Sequence, residues 1–188
     1  DTARVAGECF GLGGGRWWRG GEGWVPAPRV RYDRARPVIV LSPILVVSTD
    51  TMPATLQYDI ADPRQPARVL GELGRGRFTV RFVARATERA REFPTGQRAV
   101  VLDDSVFATY LFAAWLARPE PSTLTAIFPR ALRRETVPVQ DLGQEAELRH
   151  VTVTVGSDIV HVWLDGAGRL TKVQIPSRRL TAERLTGS

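Results

Sequence analysis

The chain has one cysteine (Cys9), one methionine, one lysine (Lys172), two histidines (His150 and His161) and no asparagine in 188 residues. A single cysteine excludes an internal disulfide and a cysteine-built zinc cluster. Cys9 also suits lipid attachment poorly, because Glu8 stands where a small residue would be needed. The longest apolar run, 37–47, is interrupted by Ser42 and Pro43, and it falls well short of the roughly 20 residues that span a bilayer. No repeat with a period of about 20–50 residues is visible, and no GxSxG nucleophile elbow occurs. The many glycines near the front match neither GxGxxG nor GxxxxGK[ST], so no phosphate loop is expected there.

What the sequence does have is arginine. The formal net charge is +6 and the pI about 10.6, and Lys172 is the one cation that is not arginine. A GC-rich coding sequence would give the same bias. Arginine forks onto carboxylates and phosphates and is weakly hydrated, which suits fixed contacts with proteins or lipid headgroups. The arginines alternate with acids, as in ATERAREF at 86–93, instead of forming one basic stripe. That weakens a nucleic-acid reading, although the Arg16-Trp17-Trp18-Arg19 cluster is the pattern that would favour one. The apolar fraction of 43% and mean hydropathy of −0.14 belong to a soluble globule of one domain plus an arm.

The body is organised around 99–119, AVVLDDSVFATYLFAAWLARP. It reads as a short buried strand, two acids, then a helix over about 104–117, with Asp103 or Asp104 capping the first turn. Its positions are apolar or small on every side, so it must be covered all round. Each large side chain hidden there is worth about 1.5–3 kcal/mol before entropy. The rest reads as strands. Before the helix these are 30–32, 38–47, 54–60, 69–73 and 77–86. Residues 87–93 either continue the last of them or form a helical turn. After the helix come 123–128 and 136–139, with Arg130, Arg133 and Arg134 on the loop between. A meander of 149–155, 159–164 and 170–175 follows, with an edge strand over 179–185. Val151, Val153 and Val155 alternate with His150, Thr152 and Thr154, and Asp165-Gly166 cues a hairpin. The expected class is therefore α+β and mainly antiparallel β: a curved sheet or half-barrel packed on one apolar helix. Its domain would cover 29–188, after an irregular arm over 1–28.

The order of strands, an LDD turn into one apolar helix, and a closing VWLDGAGRLTKVQIP hairpin is similar to bacterial periplasmic domains of unknown function. These in turn resemble lipoprotein-sorting (LolA/LolB-like) half-barrels. The resemblance covers about 30–185 and rests on Val101-Leu102-Asp103-Asp104 and on Val162-Trp163-Leu164-Asp165 with Gly168-Arg169. It implies a sheet curved around an apolar cavity and carriage of a lipid. The Trp/Gly arm departs from that pattern, since it could plug such a cavity or reach outward.

The arm packs eight glycines and Trp17, Trp18 and Trp24 into residues 7–24. Glycine is costly to order, yet tryptophan is poor company for a solvated linker and marks interfaces. Either the arm folds back and completes the core, or it docks on a partner. In the docking reading Phe10, Trp17, Trp18 and Trp24 are the anchors, and Arg16 and Arg19 are the flanking polar contacts. His150 and His161 fall on neighbouring strands and could approach each other, with Asp158 or Glu147 nearby, a set zinc could use. His161, however, shares a face with Ile159 and Trp163, which is how a half-buried pairing residue sits. Asp103 and Asp104 could be an acid–base pair, but a capping role explains them. Ser42, Ser105 and Cys9 lack a positioned base.

The expected protein is thus a non-catalytic accessory subunit without cofactor or metal. It would dock on protein subunits at the periplasmic face of a large membrane complex, of which a photosynthetic or respiratory assembly is an example. Contact with the membrane surface could accompany that docking. The alternative is a periplasmic carrier of a lipid or other apolar ligand in a half-barrel cavity, and a small hydrolase or metal-binding enzyme is a further one. The chain opens at Asp1 without methionine, as a trimmed export leader or a recombinant fragment would leave it. The expected location is the bacterial periplasm.

Overall fold

The computed structural model describes residues 3–4, 30–32, 39–48 and 51–184. Within them the strands before the helix are β1 (Ala3–Arg4), β2 (Val30–Tyr32), β3 (Ile39–Val47), β4 (Pro53–Ala61), β5 (Ala67–Gly74), β6 (Arg77–Ala84), β7 (Thr87–Pro94) and β8 (Ala99–Val101). A 3-10 turn over Phe107–Thr109 leads into α1 (Tyr110–Leu116). Then follow β9 (Ser122–Phe128), β10 (Arg133–Glu145), β11 (Leu148–Val155), β12 (Asp158–Leu164), β13 (Leu170–Ile175) and β14 (Leu180–Glu183). The class is α+β and mainly antiparallel β, as the alternation of apolar and polar residues predicts.

The strands form two open sheets. The smaller runs β2-β3-β4-β5-β6-β7 and the larger β1-β14-β13-β12-β11-β10-β9-β8. All pairings are antiparallel except β1 with β14 and β8 with β9. The second exception accounts for the helix. Two parallel neighbours cannot be joined by a tight turn and need a crossover, and α1 is that crossover between β8 and β9.

The inward faces of both sheets and the helix share one core. Val151, Val153, Val160, Val162, Val173 and Ile175 line the larger sheet, and α1 adds Tyr110, Leu111, Phe112, Ala113 and Ala114. In the smaller sheet Leu45, Leu56, Gly71 and Val80 stand in one cross-strand row. Gly71 is required by packing: a Cβ there would lie 2.6 Å from Phe78 Cε1, because that ring covers the glycine.

Several expectations need correction. The helix is shorter than 104–117, because Val106 is still non-helical (φ −121°, ψ 86°), and among the described residues no side chain caps either helical segment. Neither Asp103 nor Asp104 is its cap. Asp103 is 3% exposed and instead takes a bidentate grip from Arg130, at 2.6 Å on each oxygen. Arg133 and Arg134 are the first residues of β10, not loop residues. Residues 87–93 neither extend the preceding strand nor form a helical turn: they return as β7, antiparallel to β6.

Of the expected arm, Ala3–Arg4 pair with Leu180 and Thr181 at the edge of the larger sheet. The segment 5–29, with Cys9, Phe10, Arg16, Trp17, Trp18, Arg19 and Trp24, lies outside the described residues.

Candidate functional site

Alternation decides which side chains leave the core. On β11 and β12 the valines point inward, so His150, Thr152, His161 and Trp163 stand on the opposite, solvent-facing side. Register then sets them beside one another: His150 pairs with Trp163, Thr152 with His161, and Trp163 with Lys172 on β13. His150 stacks on the Trp163 indole at 4.5 Å between centroids and 11° between planes. The Lys172 ammonium lies 4.8 Å from the same ring, a cation–π contact. Glu183 on β14 continues the row, 3.9 Å from Lys172.

The fifth member is Glu145, at the end of β10. It pairs with Leu148, two residues before His150, and so shares the outer face. Its Oε2 lies 2.8 Å from His150 Nδ1 and accepts the Trp163 indole N–H at 3.0 Å. On its other side His150 Nε2 lies 3.0 Å from His161 Nδ1. A carboxylate beside Nδ1 fixes the proton there, which leaves Nε2 as an acceptor for the His161 Nδ1–H. The chain Glu145–His150–His161 therefore has one direction, running from the carboxylate to His161. Burial holds the His150 pKa below the ordinary imidazole value; Glu145 pulls it up, and His161 pushes it down again.

The turn into this site is strained. Ala146 and Glu147 both have positive φ, 48° and 67°, a conformation that glycine or asparagine adopts at far less cost. Glu147 therefore serves as a turn residue. Asp158 stands at the far end of β12, where Ser177 and Arg178 bond its carboxylate. The sequence correctly brings the two imidazoles together, but it names the wrong carboxylates.

Both acids of the 103–104 pair face arginines. Asp103 Oδ1 accepts the Ser105 N–H at 2.8 Å as well as Arg130, and Asp104 lies 3.5 Å from Arg133. Asp103, Asp104 and Arg130 line a cleft of about 250 Å³ together with Phe128 and Ala131. The hairpin expected at Asp165-Gly166 also forms. Asp165 Oδ1 gathers the N–H groups of Ala167 and Arg169, and the Gly168 carbonyl accepts the Trp115 indole N–H at 2.8 Å. The turn thus anchors α1. Among the described residues no helix is long and apolar enough to cross a membrane, and no group of three or more His, Cys, Asp or Glu side chains is placed to hold a metal ion.

No protein-family model matches the chain, and no curated protein matches it. Among solved structures it is similar to the crystal structure of a DUF1089-family protein from Pseudomonas aeruginosa. The two are 12% identical, with a TM-score of 0.50 over 79% of this chain and 82% of that one. At that identity the likeness concerns the fold alone, and activity does not travel with a fold.

Proposed function

We propose that the chain is a non-catalytic interaction protein, an exported accessory subunit that docks on the protein subunits of a membrane complex. Trp17, Trp18, Trp24 and Phe10 would be its anchors, and Arg16 and Arg19 the polar contacts beside them. The observation that carries this reading is where the described strands leave the ends of the Gly/Trp segment. Arg4 ends β1 on the outer edge of the larger sheet, and Val30 begins β2 on the outer edge of the smaller one. Residues 5–29 are therefore tied at both ends to the body. Tying the ends of a glycine-rich segment lowers the entropy lost when it is ordered on a partner. Pairing of the acids with arginines in the 103–104 cleft supports a structural role there rather than acid–base chemistry.

The test is a Trp17→Ala/Trp18→Ala/Trp24→Ala chain. It should keep the thermal midpoint of the parent and lose its sedimentation with native membranes. Loss of the folded body together with the tryptophans would overturn the reading, because these indoles would then complete the chain's own core.

A further inference from the structure

We propose that His150 and His161 form a two-histidine half-site for a divalent transition-metal ion of the zinc and copper class, opening on the solvent-facing side of the larger sheet. The inference does not depend on the docking reading. Its basis is the arrangement of Glu145, His150 and His161.

The first argument is distance. Two imidazole nitrogens on one tetrahedral zinc, each at about 2.0–2.1 Å, lie about 3.3 Å apart. His150 Nε2 and His161 Nδ1 lie 3.0 Å apart, so the rings need to open by only a few tenths of an ångström and tilt their lone pairs toward a common point. The second argument is support. Metal-bound histidines characteristically donate their remaining N–H to a carboxylate, which fixes the tautomer and raises ligand basicity. Glu145 already does this for His150 at 2.8 Å, while the Trp163 indole N–H holds Glu145 in place and the Trp163 ring backs His150. Both histidines also stand on paired strands of one sheet, so little side-chain or backbone entropy remains to be lost on binding.

Proton balance is simple. In the empty dyad His161 carries its proton on Nδ1, shared with His150 Nε2. Binding moves that proton to His161 Nε2, a change of tautomer with no net release from a neutral pair. A pair that has gained a proton must give one up, so binding weakens as the imidazoles charge. The surrounding charges are Glu145 on β10, Lys172 on β13 and Glu183 on β14. Glu145 offsets part of the ion's charge, and Lys172 lies against the Trp163 ring. The chain supplies two nitrogens, and water or an incoming donor would supply the remaining ligands.

Copper(II) should bind more tightly than zinc, and it reports its ligands directly. The 188-residue chain titrated with Cu²⁺ should take up one ion whose electron paramagnetic resonance shows two coordinated imidazoles. His150→Ala and His161→Gln should each remove one imidazole and weaken Cu²⁺ and Zn²⁺ binding by at least about tenfold. Glu145→Gln should keep both imidazoles and weaken binding by about tenfold, because Glu145 positions a ligand without being one. His161→Gln keeps the reading decidable if His150→Ala unfolds, since His161 does not hold Glu145. A wild-type Cu²⁺ spectrum with fewer than two coordinated imidazoles, read against the double histidine variant as the blank, would overturn the proposal. So would wild-type binding no tighter than that variant's.

Discussion

The two sheets share a core but treat their outer faces in opposite ways. On the smaller sheet the outer face is laced by cross-strand ion pairs, Arg68–Asp59, Arg77–Glu92 and Arg81–Glu88, whose side chains are roughly half exposed. On the larger sheet the outer face carries a packed row, Glu145–His150–Trp163–Lys172–Glu183, in which the indole is only 8% exposed. Pairs of the first kind gain little because water competes for both partners and salt screens them. In the second kind, each group covers its neighbour, so removing one exposes or orphans several. The same pleat, with the same alternation, yields a decorated surface on one side of the molecule and an embedded polar cluster on the other.

The largest expected break in this comparison is Trp163→Ala. It leaves Glu145, His150 and Lys172 without their common partner and should cost about 3–4 kcal/mol, a fall of about 10 °C in the thermal midpoint. Asp103→Asn comes next. It leaves Arg130 beside a neutral amide at a buried position, and chemical denaturation should read a loss of about 3 kcal/mol, the lower end for a broken buried pair.

A pH titration sharpens the contrast from the core side. Burial, with Asp104 and Asp103 nearby, raises the Tyr110 pKa well above the ordinary phenol value. The unfolded chain releases that proton near pH 10 and the folded one keeps it. Stability attributable to Tyr110 is therefore complete below pH 10 and falls as pH rises beyond it. Tyr110→Phe should flatten that alkaline limb in a denaturation series. Smallest of all should be Arg81→Ala. Although it severs a 2.9 Å bond to Glu88, the midpoint should move by no more than about 0.5 kcal/mol equivalent. A loss comparable to that of Trp163→Ala would erase the distinction between the two faces.

Strand and hairpin positions were legible because burial on one face forces alternation, most plainly from Arg149 to Val155. The helix was legible in type but not in length. An acid before an apolar run has the pattern of a cap, and nothing local tells that Asp103 is claimed by Arg130, 27 residues away. Pairing of β8 with β9 was equally invisible, since parallel neighbours leave no turn signal. Glu145 was missed for two reasons. The turn Ala146–Glu147 lacks the glycine or asparagine that would mark it, and a bulge between Asp141 and Gly143 shifts the register leading into it. The available clue was parity: Glu145 and Leu148 close the hairpin, and His150 follows Leu148 by two.

The most direct test of the docking account follows the five tryptophans separately. In the 188-residue chain labelled with fluorotryptophan, each resonance can be assigned by a single Trp→Phe change and probed with a soluble paramagnetic agent. Trp115 and Trp163 should be shielded throughout, whereas Trp17, Trp18 and Trp24 should broaden in the free chain and become shielded when native membranes are added. Protection of those three equal to that of Trp163 in the isolated protein, unchanged by membranes, would contradict the account.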